Sequence, residues 1–199
     1  MRVRGSAGAS GVAASRRFRI DSVGHEPRTV WTVGHGTRSR AELVGMLTGA
    51  GVATLVDVRR FPGSRRNPQF AGDALGDALE EAGIAYRHAP SLGGRRARQP
   101  GAQRFDCIRV EGFRNYAAWM GGDEFQGALA ESLALPRPCF MCSETVWWRC
   151  HRRLIADLLT ARGLRVRHLL SPTETRPHRL WPEGEVRAGR LFICGERVA

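Results

Sequence analysis

Apolar and polar positions follow two patterns along the chain: short apolar runs typical of strands alternate with segments that have the spacing of a helix. Short runs rich in β-branched and other apolar residues predict five strands, at 29–34, 53–60, 84–90, 138–144 and 164–170. Apolar residues spaced three and four apart predict helices at 39–49, 72–83, 113–120, 123–135 and 150–163. Strands that alternate with helices of crossover length predict an α/β fold, a three-layer, mainly parallel Rossmann-like sheet with helices on both faces.

Local signals support the ends of these elements. Ser39 and Glu42 form a capping box at the start of the first helix, and Gly83 follows the last periodic residue of the second. A Gly/Arg/Pro-rich loop is expected from 91 to about 110, and the tail is expected to add an edge strand at 190–195. Residues 1–28 are polar and basic, and are expected to be a disordered tail outside a single domain at 29–199.

Size and composition fit one globular domain, because the chain has 199 residues of which 42% are apolar. No apolar run approaches the roughly 18 residues of a membrane helix, and the first twenty residues lack the apolar centre of a secretory signal. A cytoplasmic protein with no membrane partner is expected. The five cysteines lack the compact spacing of a disulfide framework, so reduced thiols are expected.

The net charge of +12 is carried by arginine, since the sequence contains no lysine. Guanidinium groups bind phosphate in a bidentate manner and release counterions when they do so. This charge favours nucleic acid or nucleotide as the partner, although a merely solvated basic surface is the alternative.

Polar residues collect where the predicted strands end, at the sheet edge where parallel α/β proteins bind ligands. Asp57 and Arg59 share one face of their strand, because side chains alternate with a period of two. The competing interpretation is a structural ion pair, with Glu144 capping the following helix. The side chains expected at this edge are His35, Asp57, Arg59, His88, Cys142, Glu144 and His168.

The cysteine-rich segment 138–159 admits a zinc site, a reactive thiol or an anion-binding helix start. Cys139 and Cys142 have zinc-like spacing, but residues three apart on a strand point to opposite faces, so no metal is predicted. Cys142 stands near a helix start, where the dipole and nearby arginines lower a thiol pKa, and is a candidate reactive thiol. Cys150 is interpreted as a buried apolar cysteine in line with Leu154 and Leu158.

The helix that follows carries Arg149, Arg152 and Arg153 in its predicted first turn, where positive charge opposes the helix dipole. A phosphate bound at this helix start would make the interaction favourable, because its negative charge attracts both the arginines and the helix dipole. His151 could then donate a hydrogen bond or act as general acid. Trp147 and Trp148 are candidates for stacking on bases, with one of them expected in the core.

Several separated segments resemble a bacterial and archaeal family catalogued as domain of unknown function 488, over about residues 30–170. These segments are TVGHGTRS with Leu43, LVDVRRFPGSRRNPQF, LGG, the F..Y..WM pattern, and CSE followed by CHR. Cys139 falls outside the family pattern, whereas Cys142 falls where the pattern tends to carry cysteine. The resemblance assigns no activity, but it points to His35, Asp57, Arg59, Pro62, Ser64, Phe70, Glu144, Cys150, His151 and Arg152.

The leading functional hypothesis is an enzyme that hydrolyses a glycosidic or phosphoester bond in a nucleic acid or nucleotide. Asp57 and Glu144 would do acid/base or stabilising work, with His35 and His151 also at the site, and without a cofactor. Arg59, Arg65, Arg66 and Arg152 would hold phosphate. The alternatives are rhodanese-like sulfur transfer or redox chemistry at Cys142, and a nucleic-acid-binding module without turnover.

Overall fold

The computed structural model describes residues 27–63 and 67–199, and its centre is a six-stranded sheet. Five strands are parallel: β1 (Thr29–Gly34), β2 (Thr54–Asp57), β3 (Ala85–His88), β4 (Pro138–Cys142) and β5 (Arg165–Leu169). The sixth, β6 (Thr175–Pro177), pairs antiparallel with β5 at one edge. The strand order is β3-β2-β4-β1-β5-β6, which is a mainly parallel α/β sheet as predicted.

Helices cover both faces of the sheet and divide the apolar core in two. The helices are α1 (Arg40–Gly49), α2 (Gly72–Glu81), α3 (Glu111–Met120), α4 (Asp123–Ala134) and α5 (Arg152–Ala161). Residues of α1 and α2 pack in one cluster with Leu55 and Met141, whereas residues of α3, α4 and α5 pack in another with Val56 and Phe140. Neighbouring residues of one strand thus enter opposite clusters, and the three-layer prediction is confirmed.

The direction of the crossovers fixes where a ligand can bind. From β1 through β3 the chain moves toward one edge of the sheet, and from β3 through β5 it moves back toward the other. The strand order therefore reverses beside β4 and β1, and the crevice outside the carboxyl ends of such strands is the usual ligand position in open α/β sheets. The ends of β1, β2 and β4 meet at this crevice.

Local predictions agree with the elements to within a few residues. Ser39 caps α1, and its hydroxyl accepts a hydrogen bond from the backbone N–H of Glu42 at 3.1 Å. Gly83 lies just after α2 with a positive φ of 71°, which glycine adopts without steric cost. The predicted helix at 150–163 begins two residues later, at Arg152, because a 3-10 turn at Trp147–Arg149 precedes it.

The carboxyl-terminal segment corrects one expectation. Residues 190–195 do not extend the main sheet, since β8 (Arg190–Ile193) lies between β7 (Gly184–Arg187) and β9 (Glu196–Arg197) in a separate antiparallel sheet. Leu191 and Ile193 from β8 are fully buried and pack in the α3–α5 cluster. The apolar signal in this segment was real, but it belongs to a small sheet that covers α5.

The expectation of reduced thiols throughout is also wrong, because Cys107 and Cys194 form a disulfide across 87 residues of sequence. It joins the long loop before α3 to the turn after β8. The spacing gave no signal, since the two cysteines meet only through tertiary packing. Cys139, Cys142 and Cys150 are free and buried.

The predicted disordered tail falls mostly on residues 1–26, which lie outside the described part of the chain. Its last residue, Arg28, donates hydrogen bonds at 2.7 Å to the carbonyl oxygens of Leu133 and Leu135. Arg28 is therefore anchored to the end of α4. Within the described residues, no helix is long and apolar enough to span a membrane.

Candidate active site

A cavity of about 460 Å³ opens at the carboxyl edge of the sheet, where the ends of β1, β2 and β4 meet. Its base is formed by groups from these ends and from the turn before α5, and its wall includes the loop before α3. Of the residues expected at the site, the cavity is lined by His35, Arg59, Cys142, Glu144 and His151. Asp57 is absent from the lining.

Asp57 is fully buried and holds Arg59 in place. Arg59 Nε donates to both carboxylate oxygens at 2.9 and 3.0 Å, and Nη2 donates to Oδ2 at 2.5 Å. The hydroxyl of Tyr86 donates to the same Oδ2 at 2.8 Å. Burial opposes the charge of Arg59, but its hydrogen bonds with Asp57 raise the pKa of the guanidinium. The carboxylate is thus fully engaged behind the cavity.

His35 stands between this ion pair and the cavity. Its Nδ1 lies 2.9 Å from the Gly36 carbonyl oxygen, and its Nε2 lies 3.3 Å from Arg59 Nη1. Because the guanidinium can only donate, Nε2 accepts, which leaves the proton on Nδ1. Burial and the neighbouring Arg59 lower the pKa of His35, so the ring is neutral at pH 7.

Cys142 and Cys150, here called the thiol pair, meet at the base of the cavity. Cys142 ends β4 and Cys150 is the extended residue between the 3-10 turn and His151. Both thiols line the cavity, although Cys142 is only 5% exposed and Cys150 only 3%. Nδ1 of His151 lies 3.8 Å from Cys142 Sγ and 3.5 Å from Cys150 Sγ. The three atoms all lie within 4.8 Å of one another.

The surroundings polarise the thiol pair in opposite directions. A hydrogen bond from Cys150, together with His151 and Arg152, lowers the pKa of Cys142 well below its usual range despite burial. The same hydrogen bond and burial raise the pKa of Cys150. One sulfur is therefore stabilised as thiolate and the other as thiol, which is the pattern of a nucleophile with a proton donor beside it.

His151 is held closely against the backbone of the loop before α3. A side chain at Gly94 would bring its Cβ within 2.7 Å of His151 Nδ1, so only glycine fits there. The ring of Tyr116 meets the imidazole edge-on at 5.1 Å between centroids. With Nδ1 facing the thiol pair, the buried Nε2 has no hydrogen-bond partner.

Cys142, Cys150 and His151 are also donors that can bind a soft metal ion, and they are the one such group found among the described residues. A histidine bound to a metal normally donates its other N–H to an acceptor, and the buried Nε2 of His151 lacks one. The arrangement therefore fits two thiols that share contact with His151 Nδ1 better than a metal centre. Cys139 packs on the opposite face of the sheet, so the predicted divergence of Cys139 and Cys142 is confirmed.

Arg152 lies inside the protein rather than at the cavity. It is 1% exposed, and it donates to Thr32 Oγ1 at 3.2 Å and to the Glu144 carbonyl oxygen. A side chain at Gly34 would collide with both that carbonyl and the guanidinium, which explains the glycine. Phosphate binding by Arg152 gains no support from this placement and stays a prediction. Arg65 and Arg66, also predicted phosphate ligands, lie outside the described residues.

Other arginines give the cavity its charge. Arg60, Arg95 and Arg149 are exposed and line it, together with the exposed side chains of Phe61 and Val110. Arg95 has a positive φ of 57°, an uncommon conformation for a residue with a side chain. Glu144 is exposed and contributes a carboxylate to the same lining. This lining favours an anionic ligand that also has an apolar part.

His168 and Trp147 belong to a separate buried network. His168 Nδ1 lies 2.7 Å from Thr32 Oγ1, and its Nε2 lies 3.0 Å from Nδ1 of His178, which in turn contacts Asp157 at 2.8 Å. Trp147 stacks on His168 with ring centroids 4.2 Å apart. Trp147 is half-buried and Trp148 is 43% exposed, so neither belongs to the two core clusters, and the expectation that one of them lies in the core is wrong.

Sequence reasoning missed the second thiol and most of the cavity wall. Cys150 is buried and packs in the same cluster as Leu154 and Leu158, as expected, but it precedes the helix and its sulfur lies within 4.8 Å of that of Cys142. Its position in the CHR segment of the family pattern was the available signal. Gly94, Arg95 and Tyr116 come from the loop and helix after β3, whose approach no local pattern predicts.

The fold and site define a three-layer α/β protein with a paired-thiol cavity at the carboxyl edge of its parallel sheet. The model of the family described as domain of unknown function DUF488 matches residues 39–159, which is more than half of the chain. The chain belongs to this family, in agreement with the resemblance in its motifs. No match was found among curated proteins or among solved structures.

Proposed function

We propose that the cavity is the active site of a cysteine-dependent enzyme that performs sulfur transfer or thiol redox chemistry on an anionic substrate, with Cys142 as nucleophile. The observation that carries this proposal is the position of Cys142 Sγ beside His151 Nδ1 and the Cys150 thiol, at the base of an open cavity. A thiolate is the reactive form of cysteine, and these neighbours favour it. The lowered pKa of Cys142 agrees with the geometry.

Hydrolysis by a pair of carboxylates is less well supported by the same geometry. Such chemistry needs two carboxyl groups that both reach the substrate. Asp57 is fully buried and its oxygens accept hydrogen bonds from Arg59 and Tyr86, so it acts on the cavity only through Arg59. Glu144 would then work alone, at an exposed position on the rim.

The charge of the lining supports the substrate class. Buried Arg59 and exposed Arg60, Arg95 and Arg149 all line the cavity. These guanidinium groups would bind phosphate, sulfonate or carboxylate and hold the substrate over Cys142. Nucleic acid or nucleotide is one polyanion of this class, and the net charge of +12 would also raise its rate of encounter.

The test is turnover and covalent labelling by matched cysteine variants. Cys142→Ser should lower thiosulfate sulfur transfer or reduction of an anionic disulfide by about 100-fold or more, because the serine hydroxyl stays protonated at neutral pH and cannot replace a thiolate nucleophile. Cys139→Ala is the control, since Cys139 is buried on the other face of the sheet. Turnover that survives Cys142→Ser would contradict the proposal.

The substrate class is tested separately by titration with single- and double-stranded DNA and RNA at two salt concentrations. Binding that weakens with salt and is reduced by Arg149→Gln would support a polyanionic substrate. An Arg190→Gln variant is the control, because Arg190 lies on the small carboxyl-terminal sheet. Failure to bind any of these polymers would exclude nucleic acid as the substrate and leave small anions as the substrate class.

A further inference from the structure

We propose that Cys150 is a resolving thiol, and that the enzyme reduces a sulfur–sulfur bond in an anionic substrate while Cys142 and Cys150 become an internal disulfide. This inference rests on the proposed function, in which Cys142 is the nucleophile. It adds a second residue that contacts the reacting atoms, and it chooses redox chemistry over sulfur transfer.

The positions of the two sulfurs support direct bond formation. They lie within 4.8 Å of each other, and a disulfide bond is about 2 Å long, so closing it requires a movement of at most about 3 Å. Cys150 precedes α5 in an extended conformation, with φ and ψ of −125° and 150°, and its carbonyl oxygen accepts a hydrogen bond from the Arg153 N–H of the helix. The side chains of residues 143–145 are exposed, but the carbonyl oxygens of Ser143 and Glu144 accept hydrogen bonds from the Gly36 N–H and from Arg152, so closing the bond depends mainly on rotation of the two cysteine side chains.

Burial of the pair fits an internal step better than transfer to an outside acceptor. Cys150 is 3% exposed, and it has one open direction, toward the cavity that Cys142 shares. Any group attached to Cys142 Sγ therefore extends into the cavity, and Cys150 is the second thiol that lines it. In sulfur transfer, a second buried thiol at this distance would compete with the acceptor for the Cys142 sulfur.

The reaction can be written with every bond and proton accounted for. The Cys142 thiolate attacks one sulfur of a substrate R–S–S–R′, so that a Cys142–S–S–R bond forms, the S–S bond of the substrate breaks, and R′–S⁻ leaves and takes up a proton from solvent water. Cys150 then loses its proton to His151 Nδ1 and attacks the Cys142 sulfur. The Cys142–Cys150 disulfide forms, and R–S⁻ leaves with the proton from His151.

The substrate gains two electrons and the thiol pair loses two. A thiol reductant of the surroundings, itself oxidised to a disulfide, returns the pair to its reduced state. His151 would favour the Cys142 thiolate before the first step and take the Cys150 proton in the second, because its Nδ1 lies 3.8 Å from Cys142 Sγ and 3.5 Å from Cys150 Sγ. The exposed arginines would hold the charged ends of R and R′.

The experiment measures the thiols released from dithiobis-nitrobenzoate, a dianionic aromatic disulfide, by the folded protein reduced at the thiol pair. Wild type should release about two equivalents of thionitrobenzoate per chain and end two hydrogens lighter without an adduct. Cys150→Ser should release about one equivalent and keep one thionitrobenzoate on Cys142. Cys142→Ser should release none, and Cys139→Ala should behave as wild type.

Different outcomes separate this inference from the proposed function. Release of one equivalent by wild type, with a stable adduct on Cys142, would overturn the resolving role and leave Cys142 as nucleophile. No reaction at Cys142 in wild type would overturn both. Cys150→Ala repeats the measurement if the serine variant does not fold. A stoichiometric metal ion that must be removed before any reaction would assign the thiol pair to metal binding and overturn the inference.

Discussion

The ends of β2 and β4 lie side by side at one sheet edge, yet their polar groups are arranged differently. At the end of β2, Asp57 accepts hydrogen bonds from Arg59 and Tyr86 and is fully buried. At the end of β4, the thiol pair faces a cavity, and His151 has a buried Nε2 without a partner. The carboxylate of Asp57 has its hydrogen-bond partners within the protein. The thiol pair, in contrast, faces open space, and His151 Nε2 has no hydrogen-bond partner among the described residues.

This difference separates support from chemistry. A buried charge with all its partners stabilises one geometry and offers nothing to a ligand. A thiolate that faces open space can form a bond with one. The ion pair therefore positions Arg59 and His35 at the cavity, and the β4 end is where we place the reaction.

The largest effect should come from breaking the ion pair. Asp57→Ala leaves Arg59 buried without its carboxylate, and should lower the free energy of unfolding by about 3–5 kcal/mol. Urea unfolding measures this change, with Glu144→Ala as an exposed carboxylate control that should change stability by less than about 0.5 kcal/mol. Equal, small effects of the two variants would mean that the ion pair at the end of β2 does not stabilise the fold.

A smaller effect is expected from Tyr86, which donates to the same carboxylate. Tyr86→Phe removes one hydrogen bond to a charged group and should cost about 2 kcal/mol. Thiol release from dithiobis-nitrobenzoate should be unchanged in this variant, because Arg59 still pairs with Asp57. If Tyr86→Phe instead abolished the thiol reaction without affecting stability, the assignment of roles to the two strand ends would be reversed.

The buried network of β5 extends the comparison through its pH dependence. Burial, with His178 and Arg152 nearby, lowers the pKa of His168 to about 2, and Asp157 lies beyond His178. Below about pH 6.5 the unfolded chain binds a proton at this histidine and the folded protein does not, so stability falls as pH falls.

The expected loss is about 1.5 kcal/mol between pH 6.5 and 5, and His35 contributes in the same direction. Urea unfolding at a series of pH values should show this slope, and His168→Gln should reduce it. A stability that rises toward pH 5 would show that the histidine takes up a proton in the folded protein.

The sheet, its order of helices and the polar edge could be predicted because each rests on local signals. Ser39 marks α1, and the period of two at Asp57 and Arg59 put both on one face, where they pair. A local pattern cannot show whether a polar residue at the sheet edge already has all its hydrogen-bond partners within the protein. Asp57 looked catalytic until Tyr86, from the neighbouring strand, completed its hydrogen bonds.

The missed features depend on contacts between distant segments. Cys150 and Cys142 are eight residues apart in sequence, and their sulfurs come within 4.8 Å of each other because a 3-10 turn separates the strand from the helix. Cys107 and Cys194 meet through the packing of the small sheet on α5. Helical periodicity put Cys150 on the same helix face as Leu154. In the structure α5 begins only at Arg152, so Cys150 is not a residue of the helix.

The most direct test of the account is the rate of alkylation at each free cysteine of the native protein as a function of pH. With iodoacetamide and peptide mass spectrometry, Cys142 should be modified first, and at a pH well below the usual thiol midpoint of about 8.5. Cys139 and Cys150 should be modified far more slowly, because burial raises the pKa of Cys139 and the hydrogen bond to Cys142 raises that of Cys150. A Cys142 that stays unmodified until the protein unfolds, or that is modified after Cys150, would contradict the assignment of Cys142 as the nucleophile.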